Sequence, residues 1–581
     1  MLASLVIAAS ASAEEFPFRG FAPTPPMGWN SWDNFGTSIT EAQCKEQADA
    51  MAKHLKPAGY DIFTVDIQWY EPNSKGHDYK PGALLEMDDL SRLLPATTKF
   101  PSAANGAGFK KLADYVHGKG LRFGIHIMRG IPRQAVAKNT AISGTTARAA
   151  DIANTRSTCP WNPDMFGVDM KKPGAQNYYD SLFQLYASWG VDFVKCDDIS
   201  RAYDDGQLAE IEAIRKAIDK TGRKIVLSLS PGDTPIERGG HVMRNANMWR
   251  ISDDFWDRWE PLRGMFGRLE KWTRYRTEGA WPDADMLPFG IVEFGRPTRF
   301  TKDEQILCMS LWCIARSPLI FGGDMTRMDP FTRDLLTNPE VLAVNQRGSN
   351  NHHVSTTDGR IVWTAGIPGS RDRYLALFNA RDDSFPYDLA KAAYRSPLIR
   401  GKEVAEISIP LNGARKLALI VGDGGDNFNF DHASWVAPVL TGPKGRLKLT
   451  DLNWISASAG HGETRKNLTH DGARFEGIGT HSKSLIEFDI PAGYDAFEAK
   501  GMLSPDRRSA EGSIAFVVCT DAAALPKGGT ANVAVAFGDL GLTGEVAVRD
   551  LWTRKNLGVF KETFSRDLPP HGAGLYRLIV R

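Results

Sequence analysis

Eight short apolar runs recur between residues 25 and 348: MGWNSWD (27–33), IFTVDIQW (62–69), RFGIHIM (122–128), VDFVKCDD (191–198), KIVLSLSP (224–231), MWRISDD (248–254), AWPDADML (280–287) and SPLIFGGD (317–324). Their length and their content of Val, Ile, Phe and Trp suit strands buried on both faces. Between them lie segments with apolar residues three and four apart, such as CKEQADAMAKHL, GFKKLADYVHGKG, YYDSLFQLYASWG and QLAEIEAIRKAIDK. That spacing marks amphipathic helices. Eight strand–helix repeats predict a (β/α)8 TIM barrel over residues 20–348.

Each run turns polar at its C-terminal end: Trp32 with Asp33, Asp66, His126, Lys195 with Asp197 and Asp198, Ser230, Arg250 with Asp254, Asp283 with Asp285, and Asp324. In a barrel these ends converge on one face, where active sites form. A single such Asp is more often a helix N-cap, but capping does not account for the whole set. Asp197 and Asp254 are the pair that matters. Brought together by strand ends, two carboxylates can flank a glycosidic bond, one attacking while the other gives and takes a proton. Taken alone, Lys195, Asp197 and Asp198 read equally well as an ion-pair network at a barrel mouth.

After residue 350 the texture changes to alternating strands with Gly, Asn and Asp turns. The segments RYLALFNARD (373–382) and TANVAVAFGDLGLTGEVAVRDLWTRKNLGVF (530–560) read as parts of one all-β sandwich, closed by FSRDLPPHGAGLYRLIV. The sandwich is therefore assigned to 349–384 plus 528–581, with a β-rich module inserted at 385–527. At 581 residues the chain is too long for a single core. Its charge of +1, without long charged runs, argues against nucleic acid or an anionic membrane as the main partner. The six cysteines show neither CxxC nor Cys/His ligand spacing, so no metal is expected, and no motif implies a cofactor. At the N-terminus, MLASLVIAASASAEEF reads as an export signal over residues 1–13, with Ala11-Ser12-Ala13 as its cleavage site but without a basic leading region. The expected location is secreted or periplasmic.

Five segments in order, TPPMGWNSWDNFG (24–36), VKCDD (194–198), WRISDD (249–254), WPDADML (281–287) and NPEVLAVNQ (338–346), resemble glycoside hydrolase family 27. This is the α-galactosidase and α-N-acetylgalactosaminidase family. The resemblance implies a retaining hydrolase acting on a carbohydrate, α-galactosidase first. It places the nucleophile at Asp197, in Lys195-Cys196-Asp197. The acid/base falls at Asp254, four residues after the Arg of Trp249-Arg250. Lys195 and Arg250 would hold sugar hydroxyls and keep Asp197 ionised. Asp66 would bind the far side of the sugar, Trp32 would form an apolar wall, and Asp285 and Met286 would stand at the seventh strand. A like charge from Asp253 or Asp197 would favour the protonated form of Asp254.

The departures bear on which sugar is read. The α-galactosidases usually carry two adjacent aspartates after the second strand, where this chain has Asp66-Ile67. They have Tyr where this chain has His126, a residue left between substrate contact and a structural role. They have Glu where this chain has Ser230; N-acetylgalactosaminidases have Ser there but a small residue three positions on, which here is Asp233. The family's active-site disulfide lacks its second cysteine, because Ile199 takes that place. The reaction type therefore carries over more firmly than the sugar, which leaves β-L-arabinopyranosidase, isomaltodextranase-like and α-N-acetylgalactosaminidase alternatives. A sugar-binding pseudoenzyme would need a damaged catalytic pair. A Schiff-base aldolase using Lys195 would need a neutral amine, which the adjacent carboxylates oppose.

Within the insert, GIGTHSKSLIEFD followed by YDAFEA resembles the NPCBM type of carbohydrate-binding module, and LALIVGDGGDNFNFDHASW (417–435) resembles its closing strands in permuted order. Trp435, Trp454 and His481 are its candidate ligand contacts.

Overall fold

A computed structural model describes residues 16–381, 387, 389–424, 430–467, 469–470, 473–474, 476–504, 512–524 and 530–581. The expected export signal lies outside them. The chain divides into two compact units, Met1–Ala380 with Ala531–Arg581, and Arg381–Thr530.

The first unit opens with a parallel eight-stranded barrel. Its strands are β1 (Met27–Asn30), β2 (Ile62–Val65), β3 (Arg122–Met128), β4 (Phe193–Asp197), β5 (Val226–Leu229), β6 (Met248–Arg250), β7 (Trp281–Asp283) and β8 (Leu319–Phe321). They pair in sequence order, and β8 returns to β1. Between β7 and β8, Leu287 bridges Phe321, its amide donating to the Ile320 carbonyl at 2.7 Å. Helices return the chain between strands, among them Glu41–His54, Ala175–Trp189, Asp205–Thr221 and Trp259–Trp272. Local signals set their ends. Thr40 and Asp204 each close a capping box with the Gln three residues on. Gly190, with φ of 89°, ends the helix Ala175–Trp189 in the left-handed conformation that glycine permits.

The helix Lys302–Ala315 is buried almost all round, Cys308 and Cys313 included, and all six cysteines are buried. An antiparallel sheet covers it. The sheet order is Ser349–Thr357, Arg360–Gly366, Arg373–Asn379, Ala573–Val580, Glu545–Asp550 and Lys555–Lys561. Strand alternation gives this sheet two buried faces. Tyr374, Ala376 and Phe378 join the barrel's core, while Leu375 and Leu377 pack with Val533, Phe564 and Leu578 in the sandwich.

The second unit is a β-sandwich with its own core, in which Trp435 packs edge-on against Phe516. Trp435 is fully buried, so it serves the core rather than a ligand. His481 is also buried, its Nδ1 at 2.7 Å from the Ser482 carbonyl. Trp454 is partly buried, and the Lys466 ammonium lies 4.8 Å from its ring centroid. Packing thus occupies Trp435 and His481, while Trp454 keeps part of its surface open.

Candidate active site

The ends of β1 to β6 surround a cavity of about 510 Å³. Residues two apart on a strand share a face, so β4 turns Lys195 and Asp197 the same way and sends Cys196 into the core. Asp66 and Ile67 follow β2, and Asp253 and Asp254 follow β6. Trp32, Asp66, Ile67, Lys195, Asp197 and Asp254 all line the cavity. So do His77, Tyr79, Trp161, Pro231 and Trp256, with the paired Arg201 and Asp253.

Asp197 is held at both oxygens. His126 Nε2 donates to Oδ2 at 2.9 Å, and the Asp198 amide donates to Oδ1 at 2.9 Å. A carboxylate only accepts, so the His126 proton sits on Nε2. Its Nδ1 is buried without a partner among the described residues. Burial works to raise the Asp197 carboxyl, but the His126 hydrogen bond, the Lys195 charge and the Asp198 amide outweigh it and hold it at about 2. Below it a buried network anchors the end of β4. Arg129 donates through Nη1 to Glu210 at 2.9 Å, lies 3.1 Å from the Asp198 carboxylate, and donates through Nε to the Asp198 carbonyl at 2.6 Å. Tyr179 closes the network on Glu210. This ion-pair network braces the segment that follows Asp197.

Oδ2 of Asp66 accepts from Asn30 Nδ2 at 2.7 Å and from Lys195 Nζ at 3.0 Å. Burial opposes the charge on Lys195, but Asp66, Asp197 and Asp285 together raise its pKa, so the ammonium stays protonated. A Schiff-base role needs the neutral amine and is disfavoured.

Arg250 is buried beside β7. Its Nη2 lies 2.9 Å from Asp285 Oδ2 and 3.2 Å from Asp254 Oδ1. Asp254 is itself 58% exposed, so water and substrate can reach it. Asp253 turns to Arg201 instead of pressing on Asp254. Asp283 is pushed up to about 7 by burial and then by Asp285. Asp33 is raised well above the usual carboxylate range, first by burial and then by Asp285. A Cβ at Gly322 would fall 1.9 Å from its Oδ2, so only glycine leaves room there.

Of the nine residues expected at the site, Trp32, Asp66, Lys195, Asp197 and Asp254 line the cavity, and His126, Ser230, Arg250 and Asp285 do not. His126 stands behind Asp197, where it, rather than Arg250, joins Lys195 in keeping that carboxylate ionised. Ser230 is buried, with its Oγ unpartnered among the described residues. Arg250 and Asp285 form a buried pair that supports Asp254. Sequence reasoning missed His77, Tyr79, Trp161, Arg201 and Trp256. All of them sit in loops that follow barrel strands, and loop position was the one signal that could have flagged them.

Comparison with known proteins places this geometry in a family. The α-galactosidase A model matches residues 24–170 and 163–347, and the model of the α-galactosidase C-terminal β-sandwich matches 507–578. The NPCBM/NEW2 domain matches 385–441 and 445–537. An α-galactosidase A of Cellvibrio japonicus is 30% identical over 402 residues, spanning 67% of this chain and 83% of that one. Among solved structures, a family 27 β-L-arabinopyranosidase from Geobacillus stearothermophilus is 39% identical with a TM-score of 0.71, over 97% of this chain and 98% of that one. A Bacillus halodurans protein described as a candidate α-N-acetylgalactosaminidase is 34% identical with a TM-score of 0.65, over 96% and 97% of the two chains.

Proposed function

The chain belongs to glycoside hydrolase family 27, and from that premise we propose that it is a retaining exo-glycosidase that removes terminal β-L-arabinopyranose, and α-D-galactose more slowly, from oligosaccharides or glycoconjugates. The observation that carries the choice of sugar is Ile67, buried beside Asp66 and lining the cavity. β-L-Arabinopyranose has the ring configuration of α-D-galactopyranose but lacks the C6 hydroxymethyl group. The α-galactosidases carry a second carboxylate at this position. An isoleucine there leaves a galactose hydroxyl unpaired, at a cost of about 1–3 kcal/mol, whereas the bare C5 methylene of arabinose packs on it. The expected preference is therefore roughly 5- to 150-fold in kcat/KM. The full-length likeness to an arabinopyranosidase supports the same choice.

In the proposed reaction Asp197 attacks the anomeric carbon while Asp254 protonates the departing oxygen. Asp254 then takes a proton from water, which releases the sugar from Asp197 with its configuration retained. Lys195 and Asp66, already paired, present a donor and an acceptor to ring hydroxyls. The β-sandwich insert, as a carbohydrate-binding module, would keep the enzyme on its glycan. Residues 1–13 are read as an export signal, on the sequence pattern alone.

Kinetics on paired p-nitrophenyl glycosides test the assignment. The β-L-arabinopyranoside should exceed the α-D-galactopyranoside in kcat/KM. A galactoside that matches or exceeds it would overturn the choice of sugar and leave an α-galactosidase.

A further inference from the structure

The cavity carries more aromatic surface than one pentose needs. Trp161 packs against Tyr79 with ring centroids 5.6 Å apart, Tyr79 stacks parallel to Trp32 at 6.4 Å, and Trp32 meets His77 edge-on at 4.9 Å. His77 continues the run to Trp256 at 5.7 Å and to Phe294 at 5.1 Å. All but Phe294 line the cavity that holds Asp197 and Asp254.

Ordinary core packing would seal such rings, and these are not sealed. Phe294 is 55% exposed, and Trp161 and Trp256 are only partly buried. The backbone gives a second, independent reason. Phe294 sits at the turn of the hairpin formed by Ile291–Val292 and Arg296–Pro297. Glu293 and Phe294 both have positive φ, at 41° and 60°. A bulky residue is an outlier in that region, where Gly or Asn would be the easy choice. The conformation is pinned from outside the hairpin. The Glu293 amide donates to the Asp33 carbonyl at 2.7 Å, and the Phe294 amide donates to the Asn34 carbonyl at 2.9 Å. Arg296 ties the hairpin to buried Asp257 at 2.7 Å. A strained, anchored turn that holds an exposed phenyl ring beside the catalytic cavity is placed for contact.

We propose that Phe294, His77 and Trp256, continued by Tyr79 and Trp161, form a leaving-group subsite that stacks a ring, either a second pyranose or an aryl group, beside Asp254. This deepens the reading of Asp197 and Asp254 as the glycosidic pair and rests on it. The substrate class it selects is an arabinopyranoside, or galactoside, whose aglycone presents a ring face, in preference to one with a small alkyl aglycone. Aromatic faces stack on sugar and aryl rings with modest individual strength, so each ring should contribute about two- to tenfold to transition-state binding.

The experiment compares three glycosides of the same sugar on the intact protein: methyl, p-nitrophenyl, and a disaccharide. The variants are Phe294→Ala and Phe294→Gly, the latter relieving the turn while deleting the ring. Each should lose about two- to tenfold in kcat/KM on a ring-bearing substrate and leave the methyl glycoside and inhibition by free sugar unchanged. Loss on the disaccharide alone identifies a sugar subsite, and loss on the aryl substrate alone an aromatic one. An equal fall on all three substrates, or no fall on any, overturns the proposal. Running the series with galactosides as well as arabinosides keeps the tests apart, because an error in the sugar changes which series turns over and not the ratio between aglycones.

Discussion

Replacing His126 with Phe is the most informative single change at the site. The residue is fully buried and lies outside the cavity lining, so the substitution removes no sugar contact. What it removes is the 2.9 Å hydrogen bond from Nε2 to Asp197 Oδ2. Phe keeps most of the ring volume and also deletes the unpartnered Nδ1, so cavity and desolvation penalties stay small. A hydrogen bond to a charged acceptor contributes about 1.5–3 kcal/mol, which corresponds to a loss of roughly 10- to 150-fold in kcat with little change in KM. The pH profile gives the more specific readout. As the proposed nucleophile Asp197 must be ionised, and its carboxyl is held at about 2 against burial. Without His126, only Lys195 and the Asp198 amide remain among the main opposing groups. The folded pKa then rises, and the acid limb of kcat/KM moves to higher pH by about one to two units, at 1.36 kcal/mol per unit. A dinitrophenyl glycoside is the right substrate, because its leaving group needs no proton from Asp254. His126→Gln, which can still present an N–H, should recover part of the loss. A fall of less than threefold with an unmoved acid limb, or a Gln variant no better than Phe, would refute this role for His126.

Other substitutions separate the remaining roles. Ile67→Asp should shift the galactoside-to-arabinoside ratio of kcat/KM toward galactose by roughly tenfold or more, at about 1.5–3 kcal/mol for a charged hydrogen bond; an unchanged ratio would mean that position 67 does not read C6. Asp254→Ala should cost far more on methyl or disaccharide substrates than on dinitrophenyl glycosides, since only the former need general acid help, and an equal loss on both would move the acid role elsewhere. Asp283→Asn addresses stability. Asp283 is pushed up to about 7 when folded and returns to about 3.9 when unfolded. The folded state therefore holds a proton that the unfolded state releases, and stability falls as pH rises from about 4 to about 7, by on the order of a few kcal/mol. Asn can still accept from the Asp285 amide. The variant's Tm should drop less between pH 5 and pH 8 than that of the wild type, and a parallel drop would contradict the buried-carboxyl account.

The barrel was legible because parallel strands buried on both faces leave unbroken apolar runs, and because their C-terminal ends carry the polar residues. That Asp197 and Asp254 would meet at one cavity was legible for the same reason. Register within the fold was not. His126 has no sequence feature that separates a sugar ligand from a partner of the nucleophile; only the approach of β3 to β4 does so. The family resemblance put Arg250 on sugar hydroxyls and Asp285 at the seventh strand, and the fold pairs the two with each other and Arg250 with Asp254. The aromatic run from Trp161 to Phe294 joins four separate loops, and periodicity carries no information about which loops meet. In the insert, Trp435 sits in a strand whose burial pattern shows only in the folded sandwich.

The claim on which all of this rests is double displacement at Asp197. Proton NMR during the first turnovers of a β-L-arabinopyranoside, before mutarotation, reads it directly. The account predicts that β-L-arabinopyranose forms first and the α anomer follows by mutarotation. Initial release of the α anomer would show a single inverting displacement and contradict it.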